Sequence, residues 1–513
     1  MKNVFNRIFF GKYIPLIMTA VSAVSVLFNY SFRYGYVFID NTLFNGFSLT
    51  LFIIAVVNTV FLLTAAVLKL KNSLICNNKV FKTVLCISEL FAVFFAVVII
   101  VNAIVNGSES NPVALKLGKE ALPVWSAVVG IAVSLFIIPA LNNEKVKNAL
   151  KGIIAVILIV VVYSQLFPVF PYKFSSLPVV FDNGYDYSVV FSTNDTGTAY
   201  IEYDYNGESI KKFDEDNGRK KNSRIHTIRV PYEQLSGNTY RVGSERVIDE
   251  LSYGGRTGKN IESDYITFND TFGDDIDVLT VSDWHTHNDI AKSAISYLGE
   301  YNAVILLGDS APGMMFEDEA IEYILSFASD ISKGEMPIIF ARGNHETRGR
   351  AADELSSYLG IESFYYTAKL GNYNFIVLDS GEDKKDDHPE YGNMVSYEQN
   401  RKNMVNWLCS LENNNEKTIA LSHSDEICIE EALSQTAHTK LEELGTSLLV
   451  SGHWHETQFK QDRAYPVLID GGINADGNGS FVASKMSLSS EKIELTSISS
   501  DGETTISEEV YWK

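Results

Sequence analysis

Cysteine is nearly absent: Cys76, Cys86, Cys409 and Cys428 are the four in 513 residues. So sparse a set excludes a disulfide scaffold. It leaves open whether Cys409 and Cys428, both in the second half, form one bridge or stay buried thiols. Positive charge is also short, with 42 Lys and Arg against 63 Asp and Glu and a formal charge of −21 that gathers after the first third. An acidic surface disfavours docking to a nucleic acid polymer or to anionic lipid.

Charge of either sign is rare in five apolar stretches: about Ile14 to Asn29, Phe47 to Leu68, Thr83 to Val105, Leu122 to Leu141 and Gly152 to Phe167. Each is long enough, or nearly so, to cross ~30 Å of hydrocarbon as a helix. Their all-round apolarity argues against a soluble bundle. Lys2, Arg7 and Lys12, then Lys69, Lys71, Lys79 and Lys82, then Lys145, Lys147 and Lys151 fall on one side of such a bundle. The positive-inside rule makes that side cytoplasmic. The expectation is a multi-pass cell-membrane protein, spanning the bilayer with residues 1–168, its amino terminus cytoplasmic and its carboxyl half extracytoplasmic. Cleavage of the first stretch as a signal peptide, near Ala20 and Ala23, would leave the same outside location. Glu89 is costly in lipid and marks either a functional site or a side chain reaching for the interface.

From about Leu177 to Phe268 the pattern changes. Pro178-Val-Val-Phe, Tyr187-Ser-Val-Val-Phe-Ser, Thr198-Ala-Tyr-Ile-Glu-Tyr, Ile225-His-Thr-Ile-Arg-Val and Thr239-Tyr-Arg-Val alternate or run in β-branched and aromatic residues. Residues 175–270 are read as a small antiparallel β-sandwich, with His226 as a strand residue.

The chemistry lies beyond it. Seven potential metal ligands fall in five short pieces: Asp283-Trp284-His285, Gly308-Asp309, Gly343-Asn344-His345-Glu346, Ser422-His423 and Gly452-His453-Trp454-His455. Most follow an apolar run, Asp277 to Ser282, Ala303 to Leu307, Pro337 to Ala341, Thr418 to Ser422 and Ser447 to Ser451. Buried strands ending in polar or glycine residues place those side chains on loops at the carboxyl edge of a sheet, where open α/β folds bind ligands. Asp, Asn and His offer hard oxygen and borderline nitrogen donors without thiolate, which suits Mn, Fe, Zn or Ni. A pair of such ions needs one bridging carboxylate, and a water shared between them loses a proton near neutral pH to become a nucleophile. Phosphate ester cleavage is the reaction such pairs serve best.

The order D-x-H, G-D, G-N-H-E, H, G-H-x-H resembles the calcineurin-like metallophosphoesterase superfamily over roughly residues 275 to 475. The resemblance implies a two-sheet α/β sandwich over 275–513 and a phosphate ester substrate. It implies two divalent or mixed-valence transition metal ions: Asp283, His285 and His455 on the first, Asn344, His423 and His453 on the second, and Asp309 bridging. It also implies that His345 meets the phosphoryl group and protonates the leaving oxygen. The segment Phe364 to Trp407, with Tyr373-Asn-Phe-Ile-Val-Leu-Asp379-Ser-Gly-Glu-Asp383, looks most like purple acid phosphatases, as does a fibronectin-like sandwich ahead of the catalytic part. The chain departs from that branch at His285, where purple enzymes have glycine, and at Pro312 or its neighbour Gly313, where they have a ligating tyrosine.

Other side chains have two readings each. Arg348 is a candidate to grip a phosphate oxygen with its planar fork or a partner for a nearby carboxylate. His287 orients a ligand or lies on a surface loop, and Glu346 supports the His345 loop. His388, in the charged stretch Gly381 to Glu390, belongs to a rim or a solvated loop. Trp284 and Trp454 are read as packing residues. The whole is therefore expected to be multi-domain: a transmembrane helical bundle, a fibronectin-like β-sandwich and a metallophosphoesterase sandwich. The competing reading is a membrane sensor that binds a phosphorylated ligand without turnover.

Overall fold

A computed structural model describes residues 11, 13–34, 47–105, 171–251, 254–474 and 476–513, with a few isolated positions between 144 and 156. The chain divides into two compact units, Met1–Pro171 and Tyr172–Lys513.

In the first unit the first three apolar stretches form helices, Ile14–Tyr34, Phe47–Leu70 and Lys79–Val105. They pack through Leu62, Ala65, Leu85 and Ala92. Ser22 Oγ meets Thr59 Oγ1 at 2.6 Å, and the Asn58 amide donates to Ser88 O. The membrane-spanning expectation fails here. Among the described residues no helix is long and apolar enough to cross a membrane. The polar side chains of these helices include Thr19, Ser22 and Ser25, Asn58 and Thr59, and Glu89. The multi-pass location, and with it the extracytoplasmic placement of the carboxyl half, therefore loses its basis. Leu122 to Leu141 and most of Gly152 to Phe167 lie outside the described residues.

The second unit is an α/β fold with two mixed sheets, as a metallophosphoesterase domain requires. In the larger sheet, β1 (Ile276–Val281), β2 (Ala303–Leu306) and β3 (Pro337–Phe340) run parallel and adjacent. In the smaller, β4 (Tyr373–Leu378), β5 (Lys417–Ser422) and β6 (Thr446–Ser451) do the same. Side chains alternate across the smaller sheet as a period of two demands. Phe375, Val377, Ile419, Leu421, Leu448 and Val450 enter the core shared with the larger sheet. Ile376, Leu378, Ala420 and Leu449 face the helices Tyr397–Ser410 and Glu431–Glu443 through Met404, Val405, Leu408, Ala437 and Leu441. Between β2 and β3 the chain winds through the consecutive helical segments Glu317–Glu319, Ala320–Leu325 and Ser326–Ser332, the middle one of π geometry.

The β-rich segment ahead of β1 keeps a core of its own, with Val189, Phe191, Ile201, Tyr203, Ile228 and Val242, and is continuous with the larger sheet. Its first strand, Phe174–Asp182, pairs parallel with β3, with Val180 opposite Pro337, and antiparallel with Tyr187–Tyr205. The larger sheet thus runs on without a break through Thr239–Leu251 to Gly254–Glu262. The reason lies in that first strand: Val179 and Phe181 are buried in the main core while Val180 is buried in a second cluster with Tyr203, Tyr240 and Phe268. A strand covered on both faces belongs inside a sheet. Cys409 is an exposed thiol and Cys428 a buried one, so the two are not bridged.

Candidate metal centre

Parallel strands deliver their carboxyl ends to one edge, and the loops after β1, β2, β3, β5 and β6 meet there. Backbone bonds stitch them: Asp283 N donates to Gly308 O (3.0 Å), His285 N to Asp309 O (3.1 Å) and Gly452 N to His423 O (2.9 Å). The loops approach so closely that side chains are excluded at their glycines. A Cβ on Gly308, where φ is +88°, would lie 2.1 Å from Gly343 N. Gly308→Ala must push backbone against backbone, an overpacking that costs ~1–3 kcal/mol, so the urea midpoint should fall and metal uptake with it; an unchanged midpoint would show that the two loops separate freely.

Two groups of donors result. Asp283, His285, Asp309 and His455 each offer one atom within 4.8 Å of the others, and so do Asp309, His423 and His453. Asp309 belongs to both. Its Oδ2 lies 3.2 Å from His423 Nε2 and 3.9 Å from His285 Nε2, while Asp283 Oδ1 is 3.2 Å from His455 Nε2. Five of these residues hold left-handed backbone: Asp283 (φ 50°), His285 (37°), Asp309 (56°), His453 (75°) and His455 (55°). Non-glycine residues adopt that region only where the surroundings impose it, at ~1–3 kcal/mol each. Here the turns bring side chains from separate loops into one cluster.

The donor atoms suit a cation. His423 Nδ1 donates to Leu307 O at 2.7 Å, and His455 Nδ1 is engaged by Asn474 Oδ1 at 3.1 Å. Both rings therefore direct Nε2 at the cluster, the tautomer that a metal takes. Asp283 Oδ1 and His285 Nδ1 are buried with no hydrogen-bond partner. The Asn344 amide has two orientations of opposite meaning. Its oxygen pointed inward lies 3.1 Å from His423 Nε2 and 3.2 Å from His453 Nδ1, acceptor facing acceptor, which a cation between them reconciles. Turned over, it donates to both rings and its oxygen accepts from Arg348 Nη2, which needs no ion. The other donors favour the first.

The electrostatics carry the same tension. Burial would lower the pKa of His423, but Asp309 and Asp283 outweigh it and hold the imidazole up at about 10. Burial would raise the Asp309 carboxyl, yet His423 and its neighbours keep it well below the usual carboxylate range. His285, mainly by burial, is pushed down to about 4, so it stays an unprotonated donor. Metal binding requires such unprotonated donors and competes with the proton on His423.

Residues 276–457 match the family model described as calcineurin-like phosphoesterase. The chain carries a calcineurin-like phosphoesterase domain. The family typically binds two metal ions, and the Asp and His cluster of this domain could hold them. Among solved structures the chain is similar to a purple acid phosphatase from yellow lupin (Lupinus luteus) seeds, at 16% identity, covering 65% of this chain and 73% of that one with a TM-score of 0.43. A dimetal phosphatase from Danio rerio is similar at 14% identity, 46% of this chain and 99% of that one, with a TM-score of 0.35. No curated protein matches the chain.

Around the donors, the phosphoesterase domain places the remaining candidates. Glu346 is buried and accepts from Asp309 N (2.8 Å), Ser310 N (2.7 Å), Ser310 Oγ (2.6 Å) and Gly343 N (3.0 Å), tying the loops after β2 and β3 together. His345 turns Nδ1 to Pro312 O at 3.0 Å and accepts from Arg348 Nη1 through Nε2 at 3.1 Å. Its Nε2 lies 3.8 Å from Asp309 Oδ2. Arg348 aims its fork at a carboxylate: Nε and Nη2 donate to Glu382 at 2.6 and 2.9 Å. His287 stands just ahead of the helix Asn288–Ser296 and His388 caps a short turn at Pro389, both outside the two donor groups. Sequence reasoning missed Glu382 and Asn474. Glu382 stands in a run of charged residues that resembles a solvated loop; the Gly471-Gly472 pair just before Asn474 was the available signal for a close approach.

Proposed function

We propose that this protein is a dinuclear metallophosphoesterase. Asp283, His285 and His455 would hold one ion and Asn344, His423 and His453 the other, with Asp309 shared, the ions being divalent or mixed-valence Mn, Fe or Zn. The observation that carries this reading is the buried carboxylate common to two donor groups, since a shared carboxylate is what a two-metal site needs. Bound ions supply Lewis acidity, drawing charge off the phosphoryl oxygens and making the attacking water more acidic. The chain supplies the rest. His345, half-buried beside the donors and outside both groups, would hand a proton to the leaving oxygen from Nε2, which requires Arg348 Nη1 to leave that nitrogen for the phosphoryl group. Arg348 keeps Nη1 for His345 or a phosphoryl oxygen, its other nitrogens being held by Glu382.

The direct test strips the full-length protein with a chelator, restores Mn, Fe or Zn, and follows bound metal and hydrolysis of aryl and bis-aryl phosphates. About two ions per chain and metal-dependent turnover are expected. Less than one ion with no hydrolysis rejects the mechanism, and tight ester binding without product would make the protein a binder.

Glu382 gives a finer check. Its carboxylate is almost fully buried and also accepts from Thr347 and Tyr391. Glu382→Gln keeps the volume and loosens Arg348, so kcat should fall about 10–100-fold, the scale of outer-shell losses, while metal content by elemental analysis stays unchanged. Parallel loss of metal would show that Glu382 supports the donors instead.

A further inference from the structure

The two tryptophans of the D-W-H and H-W-H pieces have opposite fates. Trp284 is fully buried, stacks on Phe327 at 5.0 Å and donates its indole N–H to Tyr323 O at 2.8 Å. Trp454 is 45% exposed although it stands between two donor histidines. The left-handed backbone at His453 and His455 turns both imidazoles into the cluster and leaves the residue between them on the rim. Its ring lies 5.0 Å from that of His453. The indole N–H donates inward to Asp425 Oδ1 at 2.7 Å, and Asp425 is buried and held in turn by Lys460 Nζ at 3.0 Å.

An indole has one polar atom. Because that atom is spent on Asp425, what Trp454 offers to water is apolar ring surface in a fixed orientation. Such a face is expensive to leave wet, and rigid aromatic surface of this kind recognises flat π systems.

We propose that Trp454 is a specificity platform for the leaving group, and that this site takes phosphoesters whose alcohol carries a flat aromatic ring. The inference rests on the phosphoesterase reading and deepens it. A small acyclic alcohol such as glycerol has no ring with which to cover that face.

The test compares kcat/KM for 1-naphthyl phosphate and glycerol phosphate in the metal-replete full chain, wild type against Trp454→Ala and Trp454→Phe. Comparing the ratio of the two esters cancels their difference in intrinsic reactivity. Loss of one stacking partner should lower the naphthyl-to-glycerol ratio about tenfold in Trp454→Ala, mainly through KM, and Trp454→Phe should restore most of it. A ratio that ignores the substitution, or equal losses on both esters with falling metal content, overturns the platform and leaves the phosphoesterase reading standing. A wild type that hydrolyses neither ester overturns both.

Discussion

Asp309→Asn is expected to remove both ions and all hydrolysis from a chain that still folds. The substitution keeps the side-chain volume and one oxygen but deletes the charge that both donor groups share. His423, His285 and His345 all direct Nε2 toward Asp309 Oδ2, at 3.2, 3.9 and 3.8 Å. An amide there neutralises no cation, and if its NH2 turns inward it meets those nitrogens as a donor. Its Oδ1 also accepts the His345 amide at 2.9 Å, a bond that an asparagine oxygen can keep, so the loop after β3 should hold its place. Elemental analysis should find the substituted protein short of both ions, with turnover at background and an unchanged far-ultraviolet dichroism spectrum. Retention of one ion would mean that the two donor groups act separately, and a full complement would mean that Asp309 does not bridge.

His345→Ala should separate chemistry from metal binding. The His345 side chain belongs to neither donor group, while its backbone N–H, which survives the substitution, holds Asp309. Metal content should stay at the wild-type level while kcat falls ~10²–10⁴-fold, the usual contribution of a positioned general acid. The loss should shrink for esters of acidic phenols, whose leaving oxygens need no proton, and be greatest for alkyl esters. A uniform loss across leaving groups would assign His345 to holding the phosphoryl group, and a drop in bound metal would place it among the ligands.

The strands could be read from the chain because each is a short apolar run closed by a polar or glycine residue. Asp277 to Ser282 and Ser447 to Ser451 appear as Ile276–Val281 and Thr446–Ser451. The sheet extension could not be read. Val179-Val180-Phe181 looks alike whether it closes a small sandwich or joins a larger sheet, and its pairing with Pro337 and Ile338 is set some 150 residues away. The membrane reading failed for a related reason. Apolar content summed over Phe47 to Leu68 or Thr83 to Val105 does not register that Asn58 bonds Ser88 across two helices or that Glu89 is buried within the unit. Glu382 escaped notice because its partner Arg348 lies 34 residues earlier and no spacing rule joins them.

The sequence by itself determined the donors: their types, their order and their station at strand ends, all of which are local properties of short segments. The tertiary structure alone decided that His423 and His455 face inward through Nε2, that Arg348 is engaged by Glu382, and that Trp454 rather than Trp284 reaches the surface. Those outcomes depend on loops of different strands meeting within hydrogen-bond distance. Contacts of that kind arise from the register of parallel strands and from left-handed turns forced by close packing, neither of which a linear pattern encodes.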